Sequence, residues 1–213
     1  LNKTILTVYI NELFEISLDH GKWKIKNDYI LYYILLWNVV KNARINFLDR
    51  LFIYDKNIFI RIMNLLEALR MLSKNNISSL IVFNTKFNKD QGSLSINLKE
   101  ANKLLAELPL KKHTSDFNYL ELIKAGEKHK SVEDIDMDLF VNLCSVDGAV
   151  ILDSAFNILS YGEIIDTNLK SINEFGTGTN ACKVASENGG LAIKVSEDGD
   201  IKVYSNGELI LTL

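Results

Sequence analysis

Residues 146–164 read VDGAVILDSAFNILSYGEI, and the reading of this stretch decides the fold. Residues 149–152 are a short apolar run of the kind a buried strand carries. A polar turn over 153–157 follows, and 158–164 returns as a second strand. Asp147 falls between the end of a preceding helix and the first strand, with Gly148 directly after it. A carboxylate in that place is exposed at a strand mouth, where it can hold a metal ion or take a proton from a sugar hydroxyl. Gly148 lets another backbone or a ligand come close. The same residues also read as a plain turn, with Asp147 satisfying local amides.

Toward the C-terminus, residues 175–181 read FGTGTNA. Gly176 and Gly178 alternate with Thr177 and Thr179, and a short helix is predicted over 180–187. Such a loop can aim backbone amides, hydroxyls and a helix N-terminus at a phosphate. It is neither a GxxxxGK[ST] loop nor a complete GxGxxG fingerprint. Its other reading is a helix start capped by Thr179. Strands are predicted over 191–195, 201–204 and 209–213. Asp198-Gly199 and Asn206-Gly207 form the turns between them, because both pairs accept positive φ. Ser196 and Glu197 close the first of these strands, on what would be the same sheet edge.

Toward the N-terminus, residues 14–26 alternate about His20-Gly21 and predict a hairpin. Residues 28–43 predict a buried helix with Tyr29, Tyr32, Tyr33, Leu36 and Val40 at helical spacing, and 57–74 an amphipathic one. Residues 79–83 (SLIVF) read as a buried strand, 84–95 as a loop and 98–108 as a helix stopping before Pro109. Residues 110–130 give no clear pattern. SVED at 131–134 has the capping-box form, so a helix is expected to begin at Ser131 and carry Ile135, Leu139, Phe140 and Leu143 on one face. Strands broken by helices, with hairpins at the end, make a mixed α/β protein.

Composition sets the bounds. The 213 residues are 47% hydrophobic and 24% charged, with a net charge of -3, as in ordinary globular proteins. Neither that charge nor the pI of about 5.7 provides the clustered basic face that nucleic acid requires. The longest apolar run, 29–40, is shorter than the roughly 20 residues of a membrane span. The chain opens on Leu1 rather than Met, which reads as a piece of a larger protein, and cytoplasmic location is the default expectation. Cys144 and Cys182 lack CxxC spacing and are expected as buried, reduced thiols. His20, His113 and His129 form no metal-spaced set and are expected at the surface or in turns.

The order of these segments resembles that of the diadenylate cyclase domain, also called the DisA N-terminal domain. VDGAVILDSAFNILSYGEI resembles the family's DGA segment, and GTGTNACKVASENGGLAIKVSEDGDIKVYSNGEL its second block. NLLEALRMLSKNNISSLIVF resembles its opening helix and first strand. The likeness spans about residues 64–213, leaving 1–60 as an N-terminal extension or small α+β subdomain. It implies an α/β fold with a central mixed, largely antiparallel sheet flanked by helices. It also implies two domains facing each other as a homodimer or higher oligomer, each holding one ATP, which condense to cyclic di-AMP and pyrophosphate with Mg²⁺ or Mn²⁺. Asp147 would then lie at the attacking hydroxyl and hold metal. Gly148, Ala149, Gly176, Thr177, Gly178, Thr179, Asn180, Ser196 and Glu197 would line the nucleotide.

The chain departs from the pattern where the family reads GTRHR, for here it reads GTGTN. The arginines and the histidine that would meet phosphate and metal are replaced by Gly178, Thr179 and Asn180. Lys183, one turn beyond Thr179, is the cation the sequence offers instead. Three functions stay open: a cyclase, a non-catalytic sensor of ATP or a cyclic dinucleotide, and a structural domain.

Overall fold

A computed structural model of the chain describes residues 4–11, 14–19, 22–42, 55–84, 95–111, 123–169, 176–187 and 190–213. The predicted loop at 84–95 lies almost wholly outside these residues, as do His20 and His113. The described residues form eleven strands and five α-helices. Strands β1 (Thr4–Asn11), β2 (Phe14–Asp19) and β3 (Lys22–Asn27) pair in sequence as an antiparallel sheet. The expected hairpin is the β2–β3 pair, and β1 adds a strand the pattern did not reveal.

Helices α1 (Tyr29–Asn42) and α2 (Asp55–Lys74) follow. Leu31, Leu35 and Val39 form the buried stripe of α1, while Tyr33 and Trp37 are 62% and 64% exposed. This stripe differs from the expected one of Tyr29, Tyr32, Tyr33, Leu36 and Val40, because a helix apolar nearly all round does not reveal which side meets its neighbour. Arg70 of α2 pins α1 through an ion pair to the buried Asp28, 2.6 Å away. Helix α2 runs unbroken through residue 60 and packs Ile58, Ile62, Leu65, Leu69 and Leu72 into the core that Leu31, Leu35 and Val39 share.

The central sheet has the order β11-β10-β9-β4-β7-β8. Its strands are β4 (Ser79–Asn84), β7 (Ala149–Asp153), β8 (Ile158–Glu163), β9 (Leu191–Val195), β10 (Ile201–Ser205) and β11 (Glu208–Thr212). Only β4 and β7 are parallel, and the other pairings are antiparallel. This is the mixed, largely antiparallel sheet expected. The two residues between β10 and β11, Asn206 and Gly207, have φ of 52° and 80°, as a two-residue hairpin turn demands.

Alternation divides the sheet residues between two cores. Ile81, Phe83, Val150, Leu152, Ile193 and Val203 pack with α1, α2 and helix α4 (Met137–Ser145). Val82, Ala149, Ile151, Ala192 and Tyr204 pack on the other face with helices α3 (Leu98–Leu105) and α5 (Thr177–Ser186). A short hairpin, β5 (Lys124–Ala125) with β6 (Lys128–His129), lies in the stretch that gave no pattern.

The expected helix start at Ser131 is corrected. Half of the capping box forms: Ser131 N and Oγ both donate to Asp134 Oδ2, at 2.9 and 2.7 Å, while the Asp134 amide donates to the Ser131 carbonyl and not to Oγ. They close a turn instead, because Ser131 is fully buried in a bridge to Asn157. The helix starts at Met137, capped by Asp136, so Ile135 lies outside it. The capping box that does open a helix is Asn97 with Glu100, at α3. That helix ends at Leu105, short of the expected 108. His129 is also corrected, being buried rather than at the surface.

Candidate functional site

The register collects the candidate residues at one end of the sheet. Ser79, at the start of β4, pairs with Val195, at the end of β9, and Leu80 pairs with both Lys194 and Ala149. The DGA turn therefore enters the sheet where the Ser196-Glu197 strand leaves it, two strands away and about 10 Å across. Lys194, Leu80 and Ala149 form one row on the face that α5 covers.

The direction of α5 brings its first turn to this end. Ser186 Oγ, at its last residue, accepts from the amide of Gly207, and the β10–β11 turn is at the far end of the sheet. Thr179 Oγ1, at its start, accepts from Lys194 Nζ at 3.4 Å. The helix begins at Thr177, three residues before the expected position, and Gly176 is its N-cap with no capping side chain. Thr179 is thus not the cap but sits in the first turn. The amides of Thr179 and Asn180 both reach the carbonyl of Gly176, at 3.0 and 3.1 Å.

Gly148 has a structural reason to be glycine. Its φ is +109°, and a Cβ there would lie 2.5 Å from the carbonyl carbon of Gly162. The DGA turn is pressed onto the backbone of β8, which fixes where Asp147 emerges. Asp147 itself is exposed, and among the described residues nothing pairs with its carboxylate. Ser196 closes the turn to β10, its amide donating to Asp200 O at 2.9 Å. That turn rests on the end of α2, where Ser73 Oγ donates to Gly199 O at 2.6 Å. Glu197 is exposed at its tip.

Two expectations about cations change here. Lys183 lies in the last turn of α5, on the half of the helix away from the first-turn hydroxyls. The cation at the helix start is Lys194, from β9. Nothing in the sequence of the strand singles it out, because a single polar residue in an apolar strand usually marks a solvent-facing position. Its signal was the glycine at 178: a Cβ there would lie 3.3 Å from Lys194 Cε.

The remaining reactive groups belong elsewhere. Cys144 and Cys182 are free and buried, and burial pushes the Cys182 thiol up to about 12, against the opposing charge of Lys194. Neither is a nucleophile at neutral pH. Asp153, at the other end of β7, accepts from Ala155 N, Asn157 N and Asn157 Nδ2 at 2.8–2.9 Å and is buried. Among the described residues no three His, Cys, Asp or Glu side chains gather as a metal site. No helix of them is long and apolar enough to cross a membrane.

No family model and no curated protein matches this chain. Solved structures are similar to it, among them the following two. One is a double mutant of DacA from Staphylococcus aureus, 24% identical, with a TM-score of 0.41 over 73% of this chain and 85% of that one. The other is a hypothetical membrane spanning protein from Bacillus cereus, 21% identical, with a TM-score of 0.44 over 70% of this chain and 61% of that one.

Proposed function

We propose that this domain binds a nucleoside triphosphate at the sheet end where β7 begins and β9 ends. The observation that carries the reading is the meeting, at that end, of the DGA turn, the Ser196 turn and the start of α5. A carboxylate, hydroxyls, a helix N-terminus and a cation at one end of the sheet form the set that a sugar hydroxyl and a phosphate chain need. The resemblance of the motifs makes ATP the first candidate and cyclic di-AMP the product, formed between two copies of the domain.

In that reaction Asp147 accepts the proton of the attacking 3′-hydroxyl. Thr177 and Thr179 offer hydroxyls to phosphate oxygens, and the amide dipoles at the start of α5 favour the negative charge. Gly148 and Ala149 bring the backbone of the DGA turn against the nucleotide, with Ser196 and Glu197 at the opposite rim. Gly176, Gly178 and Asn180 let the phosphates approach the helix start. The donor set fits Mg²⁺ or Mn²⁺, because such ions take one or two carboxylates and complete their shell with substrate phosphates. Asp147 would hold the ion, which would neutralise phosphate charge.

A second reading has its own observation. With GTGTN the loop carries no arginine or histidine, and phosphoryl transfer leans on such groups. A domain that holds ATP or a cyclic dinucleotide without turning it over would retain the same site. Incubation with ATP and Mn²⁺, followed by chromatography for a cyclic dinucleotide, separates the two. Product that vanishes in Asp147→Asn supports synthesis. Binding without product supports sensing, and no binding of any nucleotide refutes both.

A further inference from the structure

We propose that Lys194 is the residue that meets the nucleotide's phosphates, reaching the start of α5 through the space that Gly178 leaves empty. The proposal rests on the nucleotide-binding reading above and assigns the phosphate contact within it. Lys194 leaves β9 one residue before the strand ends and lies on the α5 face in the row with Ala149. Its Nζ ends 3.4 Å from Thr179 Oγ1, and 3.5 Å from where a Cβ on Gly178 would stand. These are the two positions at which the resembled family places arginine and histidine. A longer side chain at 178 would occupy the volume that Lys194 now fills, so the glycine and the lysine fit each other. The cation is supplied from the neighbouring strand instead of from the loop.

The surroundings of Lys194 point to an anion as the missing partner. The residue is half-buried, and among the described residues its only polar contact is a neutral hydroxyl, with no carboxylate paired to it. An ammonium has three N–H donors, and only one of Lys194's is placed, on Thr179 Oγ1. Ion pairs do form elsewhere among the described residues, as between Arg70 and Asp28. Phosphate oxygens would supply both the charge and the acceptors. Lys183, the other lysine of this region, is in the last turn of the helix and serves as the control.

The test is calorimetric titration of the full chain with ATP and Mg²⁺ and, separately, with adenosine. Lys194→Met should weaken ATP about 10- to 100-fold, the range of one charge-assisted hydrogen bond, and leave adenosine unchanged. Lys194→Arg and Lys183→Met should each stay within about threefold of the parent. ATP binding by Lys194→Met within about twofold of the parent overturns the assignment while the nucleotide-binding reading stands. A parent chain that binds neither ligand overturns both. One that binds adenosine but not ATP overturns the assignment of Lys194. If Lys194→Met fails to fold, the unaltered chain gives the answer. Saturating ATP, but not adenosine, should protect Lys194 from an amine-acylating reagent, as read by mass spectrometry, and labelling unchanged by ATP overturns the assignment.

Discussion

Asp153 closes strand β7 and Asp147 stands in the turn two residues before it, and the two ends of the strand differ in almost every respect. At its carboxyl end Asp153 is buried and accepts three hydrogen bonds from the 155–157 turn. Arg61 braces the same turn, its Nη1 donating to Ala155 O at 2.7 Å and its Nε reaching Glu133 at 3.3 Å. Burial drives the Asp153 carboxyl above the usual carboxylate range, opposed by the hydrogen bonds of Asn157 and Ala155 and by the Arg61 charge. At its amino end Asp147 is exposed, and among the described residues its carboxylate has no partner. A carboxylate whose acceptors are all occupied by its own turn has been used up by folding. One whose backbone is fixed and whose oxygens are open is the one the proposed function puts to use.

The largest effect should come from Asp153→Ala. It would strip acceptors from two buried amides and one side-chain amide, at a cost of about 3–5 kcal/mol. Urea unfolding measures it, and a loss under about 1 kcal/mol would break the distinction between the two ends. Gly148→Ala comes next, at about 2–4 kcal/mol, since a methyl group would meet the Gly162 backbone and the φ of +109° would be strained. That substitution sharpens the contrast within the amino end, separating the glycine that builds the turn from the aspartate it presents.

The same contrast explains what the sequence disclosed. The central strands were legible because their apolar runs and turn pairs carry their own period, and DGA marked a strand entrance without any structural help. The reading failed where one local signal admits two structures. SVED joins Ser131 to the Asp134 carboxylate whether or not a helix follows, and only the burial of Ser131 against Asn157 decides. Helix α1 is too uniformly apolar to reveal that Leu31, Leu35 and Val39 face inward. Lys194 was hidden for a different reason. A strand residue's relation to a helix start 15 positions away is fixed only by sheet register and by how α5 lies on the sheet.

A third prediction extends the carboxyl-end network to His129. Its Nδ1 donates to Ile158 O at 2.7 Å, while its Nε2 is buried without a partner among the described residues. Burial lowers its pKa below the usual value of 6.5, against the raising effect of the Ile158 carbonyl and with a smaller lowering from Lys124. The folded chain therefore binds this proton less readily than the unfolded one. The stabilisation from neutral His129 is present above pH 6.5 and is lost as the pH falls below it. His129→Gln keeps a donor for Ile158 and removes the titration. It should flatten the stability profile below pH 6.5 by up to about 1 kcal/mol per pH unit relative to the parent. Parallel profiles would remove His129 from the account.

The smallest expected effect is on folding at the amino end. Asp147→Asn should change the unfolding free energy by no more than about 0.5 kcal/mol, because it removes neither a described hydrogen bond nor buried surface. The same substitution should abolish any cyclic dinucleotide formed from ATP. Gly148 holds a φ that other residues rarely adopt, and the aspartate just before it is exposed. If Asp147→Asn instead destabilised the chain as Asp153→Ala does, Asp147 would be a second structural aspartate. The open end of β7 would then be a turn like the closed one, and the helix start at Thr177 would have no carboxylate to work with.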